Sequence, residues 1–305
     1  MTGSPPLQPD PSAISGIAKA PFAFLPRPDR LFRGRADRFA VLAEGSRLQP
    51  YLRFLEAIAR AQDAVVAETP EPEALPPSQV EQARAGAMPP MDRAALPFHP
   101  DMKPVLRLFL DKAEAIGKPA PAATALSALR GMGDEDLSER LTDAVSQETE
   151  PERAAELLYL SAATQILAAR LAAPLDASRL VPVRAGLCPV CGARPLASFV
   201  VGVPGAEGVR YAVCSFCATH WNEVRVKCLA CGSTQGIGYR SVEAEDAVIK
   251  AEICDTCHSW VKILYADRNP SLEPVADDVA SLGLDLLMRD TDYRRAGFDP
   301  FLLGY

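Results

Sequence analysis

The chain has 305 residues, 48% of them hydrophobic, which is enough for one large domain or two ordinary ones and too apolar for a disordered chain. Its 32 Lys and Arg face 39 Asp and Glu, a net charge of -7, so no global field draws it to nucleic acid or anionic lipid. No stretch approaches ~18 uninterrupted apolar residues, and the N-terminus lacks a basic start followed by an apolar run; the reading is a soluble, cytoplasmic protein without membrane insertion.

Residues 1–28 hold seven prolines and read as an extended arm. A helical domain is expected over 29–184. Leu31, Phe32, Phe39 and Leu42 share one helical face, with Gly45 placed to end the element. In PYLRFLEAIARAQDAVVAE, Pro50 suits a first turn, and Leu52, Leu55 and Ala59 continue an apolar stripe. Nine prolines between 69 and 104 predict a long loop with a short helix near Gln79 to Ala85. Helical patterns return in KPVLRLFLDKAEAIG, in an Ala/Leu segment reaching Arg130, and from Asp134 to Val145. Residues 150–172 carry few polar side chains from Leu157 to Ala169 and predict the longest and most central helix.

All eight cysteines follow, as four Cys-x-x-Cys pairs: Cys188/Cys191, Cys214/Cys217, Cys228/Cys231 and Cys254/Cys257. Adding 40 to each of the first four numbers gives the last four. The same shift maps Gly192 on Gly232, Arg210 on Lys250 and Val213 on Ile253, the trace of a duplicated unit. The units are expected at 185–226 and 227–268, with a C-terminal helix and tail over 269–305. Clustered thiols in a chain without a secretion signal favour metal over disulfides.

Within each copy 22 residues separate the pairs and read as a β-hairpin: SFVVGV and VRYAV around PGAEG, then GIGYRSV and AVIKAEI around EAED. A hairpin returns the chain to its start, so its two feet bring four thiolates together, a tetrahedral set for zinc or iron. The ten residues between Cys217 and Cys228 would close a shorter loop, but loop entropy changes by only ~0.6 kcal/mol per doubling, too little to overrule hairpin geometry. One metal is thus assigned to Cys188, Cys191, Cys214 and Cys217, the other to Cys228, Cys231, Cys254 and Cys257. CPVCG is similar to the knuckle of rubredoxin, whereas CSFCA and CDTCH lack its Pro and Gly; iron and zinc both stay open, as do structural and redox roles. Four cysteines per site leave His220 and His258 a supporting or surface place, and His99 has no partner in the sequence.

Charges between 188 and 265 balance at seven of each sign, and a divalent tetrathiolate adds two negative charges, which disfavours a nucleic-acid reader. No Ser/His/Asp grouping, phosphate loop or acid/base pair stands out, so a binding factor is favoured over an enzyme. Asp277 and Asp278 are expected to cap or charge a helix start, and AGFDPFLLG to pack on the domain. The fold class is α+β multidomain: an all-α helical array, two tandem rubredoxin-like or zinc-ribbon units, and a terminal helix.

CPVCG, CSFCATHWNEVRVKCLAC with Trp221 and Arg225, AEICDTCHSWVKI, PVADDVASLGLDLL and DPFLLG together resemble the FdhE family of formate dehydrogenase accessory proteins. PFAFLPRPDRLFRGRADRFAVLAEG and YLRFLEAIARAQ resemble it more weakly. The resemblance implies a cytoplasmic maturation factor that binds the catalytic subunit of a molybdopterin and iron-sulfur formate dehydrogenase, with iron at the cysteine sites; self-association is left open. An acidic residue would be usual where His220 stands, and Asn where Asp299 stands. The competing functions are a rubredoxin-like redox factor for the same maturation and, third, a nucleic-acid-binding zinc ribbon.

Overall fold

The computed structural model describes residues 20–148, 150–202, 208–242 and 246–303; most of the expected arm, nearly all of the PGAEG and EAED turns and the last two residues lie outside them. The chain is α+β, a helical array followed by a strand-rich part. A two-residue strand, β1 (Ala23–Phe24), precedes α1 (Pro28–Ala43), α2 (Gln49–Glu68), α3 (Pro77–Ala85), α4 (Met102–Glu114), α5 (Ala120–Gly131), α6 (Asp134–Ser146) and α7 (Ala154–Ala172). Gly45 turns with φ 70° just beyond α1, the left-handed geometry expected at its end. Between α3 and α4 the proline-rich segment adds a 3-10 turn, Arg93–Phe98, which Asp92 caps by accepting from the Ala94 N–H at 2.9 Å.

Helix α7 is buried at every residue from Leu157 to Ala172 and packs among α1, α2, α4, α5 and α6, so it is the central helix. It is not the longest: Pro151–Arg153 form a 3-10 turn before it, leaving 19 residues against 20 in α2. Two of its positions tie it to α2 and the segment that follows it. Gln62 of α2 donates to the Ala162 carbonyl at 2.8 Å, and Arg170 donates to Thr69 and Pro70 of the segment leaving α2.

The strand-rich part contains β2 (Pro195–Val201), β3 (Val209–Cys214), β4 (His220–Glu223), β5 (Ile237–Arg240), β6 (Ile249–Cys254) and β7 (Ser259–Tyr265), then α8 (Pro274–Ala280), α9 (Leu282–Arg289) and β8 (Arg294–Arg295). The described strands make one sheet in the order β1-β4-β3-β2-β7-β6-β5, with β8 on β7. The two hairpins are present, and each gains a third strand after its second cysteine pair: β4 in the first copy, β7 in the second. The copies join head to tail where β2 pairs parallel with β7, Ser198 facing Ile263 and Val200 facing Tyr265. They therefore share a sheet, which hairpin reading by itself did not anticipate.

Arg210 of β3 fastens the join. Its guanidinium donates to the Lys227 carbonyl at 2.8 Å in the connection between copies and to Glu252 Oε1 of β6 at 2.7 Å, with both side chains buried. The single terminal helix expected after the repeats is two short ones that break at Ser281. The tail packs as expected: Phe298, Phe301, Leu302 and Leu303 are buried, and the Tyr51 hydroxyl donates to the Phe301 carbonyl at 2.5 Å.

Candidate metal centres

Each cysteine knuckle follows from a tight backbone turn. In the first copy Cys188 N–H donates to Ala193 O at 2.9 Å and Gly192 N–H to Cys188 O at 2.9 Å; in the second Cys228 donates to Ser233 at 2.8 Å and Gly232 to Cys228 at 3.0 Å. Gly192 and Gly232 sit at φ 69° and 78°, the left-handed region open to glycine. After the second pair of each copy the same region is occupied by Ala218 (φ 58°) and His258 (φ 52°). The sequence lacks glycine there, yet the backbone keeps the repeat.

These turns bring the feet of each hairpin together. Cys188, Cys191, Cys214 and Cys217 form one cluster and Cys228, Cys231, Cys254 and Cys257 another, with all sulfurs of a cluster within 4.8 Å. Cys188 and Cys217 Sγ are 3.6 Å apart, Cys191 and Cys214 3.5 Å, Cys228 and Cys257 3.7 Å, Cys231 and Cys254 3.8 Å. Four sulfurs at ~2.3 Å from a central ion lie ~3.8 Å apart, whereas a disulfide needs ~2.05 Å. Both clusters fit a tetrathiolate metal ion, and the grouping is the one assigned from hairpin geometry.

Donors surround the sulfurs. Val190 N–H points at Cys188 Sγ at 3.4 Å, Phe216 and Cys217 N–H at Cys214 Sγ at 3.3 Å each, and Ala230 N–H at Cys228 Sγ at 3.3 Å. The Thr219 hydroxyl lies 3.2 Å from Cys217 Sγ. Such bonds spread the negative charge that a tetrathiolate ion concentrates. Burial and the neighbouring sulfurs push the Cys188 and Cys191 thiols well up, whereas at Cys214 burial is outweighed by hydrogen bonds from the neighbouring cysteines, which hold that thiol well down.

The helical array holds the first cluster directly. Gln165 of α7 accepts from Arg35 of α1 at 3.1 Å and donates to the Ser215 carbonyl, inside the second knuckle, at 2.9 Å. Gln147, left-handed at the end of α6, donates to Ser215 Oγ at 2.7 Å and accepts from Arg194 N–H at 2.9 Å. Met91 N–H donates to Val190 O at 2.9 Å. Neither histidine joins a cluster. His220 lies in β4 with its ring 6.0 Å from that of Phe199, and burial pushes it down to about 4, so it is neutral at pH 7. His258 is exposed beside Tyr293. His99 lies 3.6 Å from Asp101, far from the sulfurs in sequence and bonded to its own turn.

A second polar constellation escaped the sequence reading. Lys262, fully buried in β7, lies 3.1 Å from Asp278 of α8 and 2.5 Å from Asp285 of α9; Arg295 of β8 lies 2.6 Å from Asp278 and 2.5 Å from Asp285. Burial would raise Asp278, but Arg295 and Lys262 outweigh it and hold that carboxyl down near 2. Burial and the charge of Asp278 push Asp299 well above the carboxylate range. The signal was a lysine inside the apolar run SWVKILY. Asp278 thus does not cap α8; Glu273 does, accepting from Ala276 N–H at 2.7 Å, while Asp277 accepts from Glu273 N–H at 2.7 Å and pairs with Arg38 at 2.6 Å.

Models of three consecutive parts of one family match: FdhE N-terminal over residues 20–185, FdhE central domain over 187–225 and FdhE C-terminal domain over 226–302. The chain belongs to the FdhE family. A protein FdhE homolog of Rhizobium meliloti (strain 1021) is 60% identical over 302 residues, covering 98% of this chain and 99% of its own. Protein FdhE of Escherichia coli (strain K12) is 34% identical over 292 residues, covering 92% and 91%. The crystal structure of the FdhE protein from Pseudomonas aeruginosa superposes with a TM-score of 0.83 at 30% identity, covering 93% of this chain and 99% of that one. FdhE relatives are thus matched over nearly the whole chain, helices and sulfur clusters together. No described helix is long and apolar enough to cross a membrane.

Proposed function

We propose that this FdhE-family chain is a cytoplasmic accessory factor for maturation of a respiratory formate dehydrogenase, binding its catalytic subunit and catalysing no reaction of its own. The observation that carries the reading is the family membership over nearly the full length, with both four-cysteine clusters formed. All eight cysteines act as metal ligands, four to each of two mononuclear ions, iron or zinc, with iron favoured by the resemblance. The ions supply folding energy to two small β units that are too thin to bury a core of their own, and thereby fix the sheet that the helical array packs against.

A redox reading is favoured by one further observation, the N–H donors aimed at Cys188, Cys214 and Cys228, which would tune the potential of an iron ion held there. Affinity capture from formate-respiring cells tests the first reading. The catalytic subunit is expected to co-purify with the tagged chain, and its consistent absence would refute the proposal. Reversible bleaching of a red iron-loaded form supports the redox reading; full complementation by a colourless zinc form contradicts it.

A further inference from the structure

The two clusters share spacing, turns and sulfur geometry but differ in surroundings. Cys188, Cys191, Cys214 and Cys217 are all buried. Over them lie Met91 and Pro89, the latter 3.2 Å from where a side chain on Gly192 would begin, together with buried Phe216 and the Gln147 and Gln165 anchors from α6 and α7. In the second cluster Cys231 is exposed and Cys257 half-buried, and Ala230, Asp255, Thr256 and His258 around them are exposed too. Its other side is closed: Cys228 and Cys254 are buried, and Leu229 is buried against Gly186 of the first copy.

Replacement of a thiolate on a d-block ion proceeds by approach of an incoming donor to the metal, so the route to the ion decides the rate. At the second cluster that route exists in the folded state, across the Cys231–Cys257 edge. At the first, the helical array must lift from the sheet, an opening that sacrifices a large part of the core. We propose that the second cluster is an exchange site, taking up and surrendering a thiophilic divalent ion through the Cys231–Cys257 edge, whereas the first cluster keeps its ion as long as the chain is folded. This rests on the reading that both clusters bind metal. Each step exchanges one metal–sulfur bond for one bond to the incoming donor, the ion keeps its charge, and the freed Cys231 thiolate takes a proton from water. The partner it suits is a soft-donor acceptor, a thiolate or imidazole ligand set, small or on a protein surface.

The test uses the full chain, purified without oxygen and loaded with zinc, mixed with an excess of the chromogenic chelator 4-(2-pyridylazo)resorcinol. Two equivalents in total are expected, one leaving in a fast phase and the other at least about 100-fold more slowly. Cys231→Ser is expected to abolish the fast equivalent and keep the slow one. Independently of any variant, brief iodoacetamide labelling of the unsubstituted protein with peptide mapping is expected to modify Cys231 and Cys257 first. Release of both equivalents in a single phase, or first labelling within the Cys188 cluster, would overturn the exchange proposal while leaving metal binding intact. A folded chain with no metal would remove both.

Discussion

The residue after each second cysteine pair shows how a backbone requirement outlives the side chain that signals it. Ala218 and His258 hold φ of 58° and 52° where Gly192 and Gly232 do the same work without a Cβ penalty. A left-handed L-residue costs ~1 to 2 kcal/mol, part of which a glycine gives back through its freer unfolded chain. Ala218→Gly is therefore expected to raise stability by up to about 1 kcal/mol in denaturant titration. Equal or lower stability would show that Ala218 is not strained. Gly192 and Gly232 were legible as turn residues; Ala218 and His258 were not, because only their place in the repeat betrays the geometry.

Asp299 belongs to the same scale. Its carboxyl, raised by burial and by Asp278, binds its proton more tightly folded than unfolded. That stabilisation is complete below the unfolded value of ~4 and is lost as pH rises through the folded one. Asp278 has the opposite sign, lowered to near 2, and its contribution fades as pH falls. Asp299→Asn keeps a neutral polar group and leaves Asp278 in place, so the melting temperature of the variant relative to the parent is expected to climb from pH 4 to pH 8. A difference independent of pH would contradict the protonated state.

Among elements, the hairpins were legible because runs with β-branched and aromatic residues flank each turn, and their feet dictated the sulfur clusters. Strand β4 was missed because it spans only His220–Glu223 and alternates with polar residues, and β7 because a strand beyond the second cysteine pair is not needed to bring the hairpin's feet together. The β2–β7 ladder could not be read at all, since parallel pairing between copies leaves no local signature. Its lock is open to measurement. Arg210→Met leaves Glu252 buried and unpaired and is expected to cost about 3 to 5 kcal/mol, whereas Arg210→Met with Glu252→Gln is expected to recover a large part of that loss. Additive losses would mean that the buried pair does not couple the copies.

For the molecule as a whole, the split into a helical part and a cysteine-rich part was plain in the composition, and Phe32, Phe39, Leu52 and Leu55 of the predicted stripes are core residues. What joined the parts was invisible: Gln165 sat in an apolar helix with nothing to mark it as the bridge from Arg35 to Ser215. Gln165→Leu removes that bridge, and a loss of about 1 to 3 kcal/mol is expected, with the Ser215 carbonyl left unpaired. The slow zinc equivalent is expected to leave faster in this variant while the fast one is unchanged. Unaltered release of both would show that the helices do not seal the first cluster.

The central claim is that the eight sulfurs close on two ions. Metal analysis of native protein purified without oxygen, with thiols counted before and after chelation, tests it most directly. Two ions per chain are expected, with eight thiols released for titration once the ions are removed. A folded chain holding no metal, or one whose sulfurs are joined pairwise as disulfides, would contradict it.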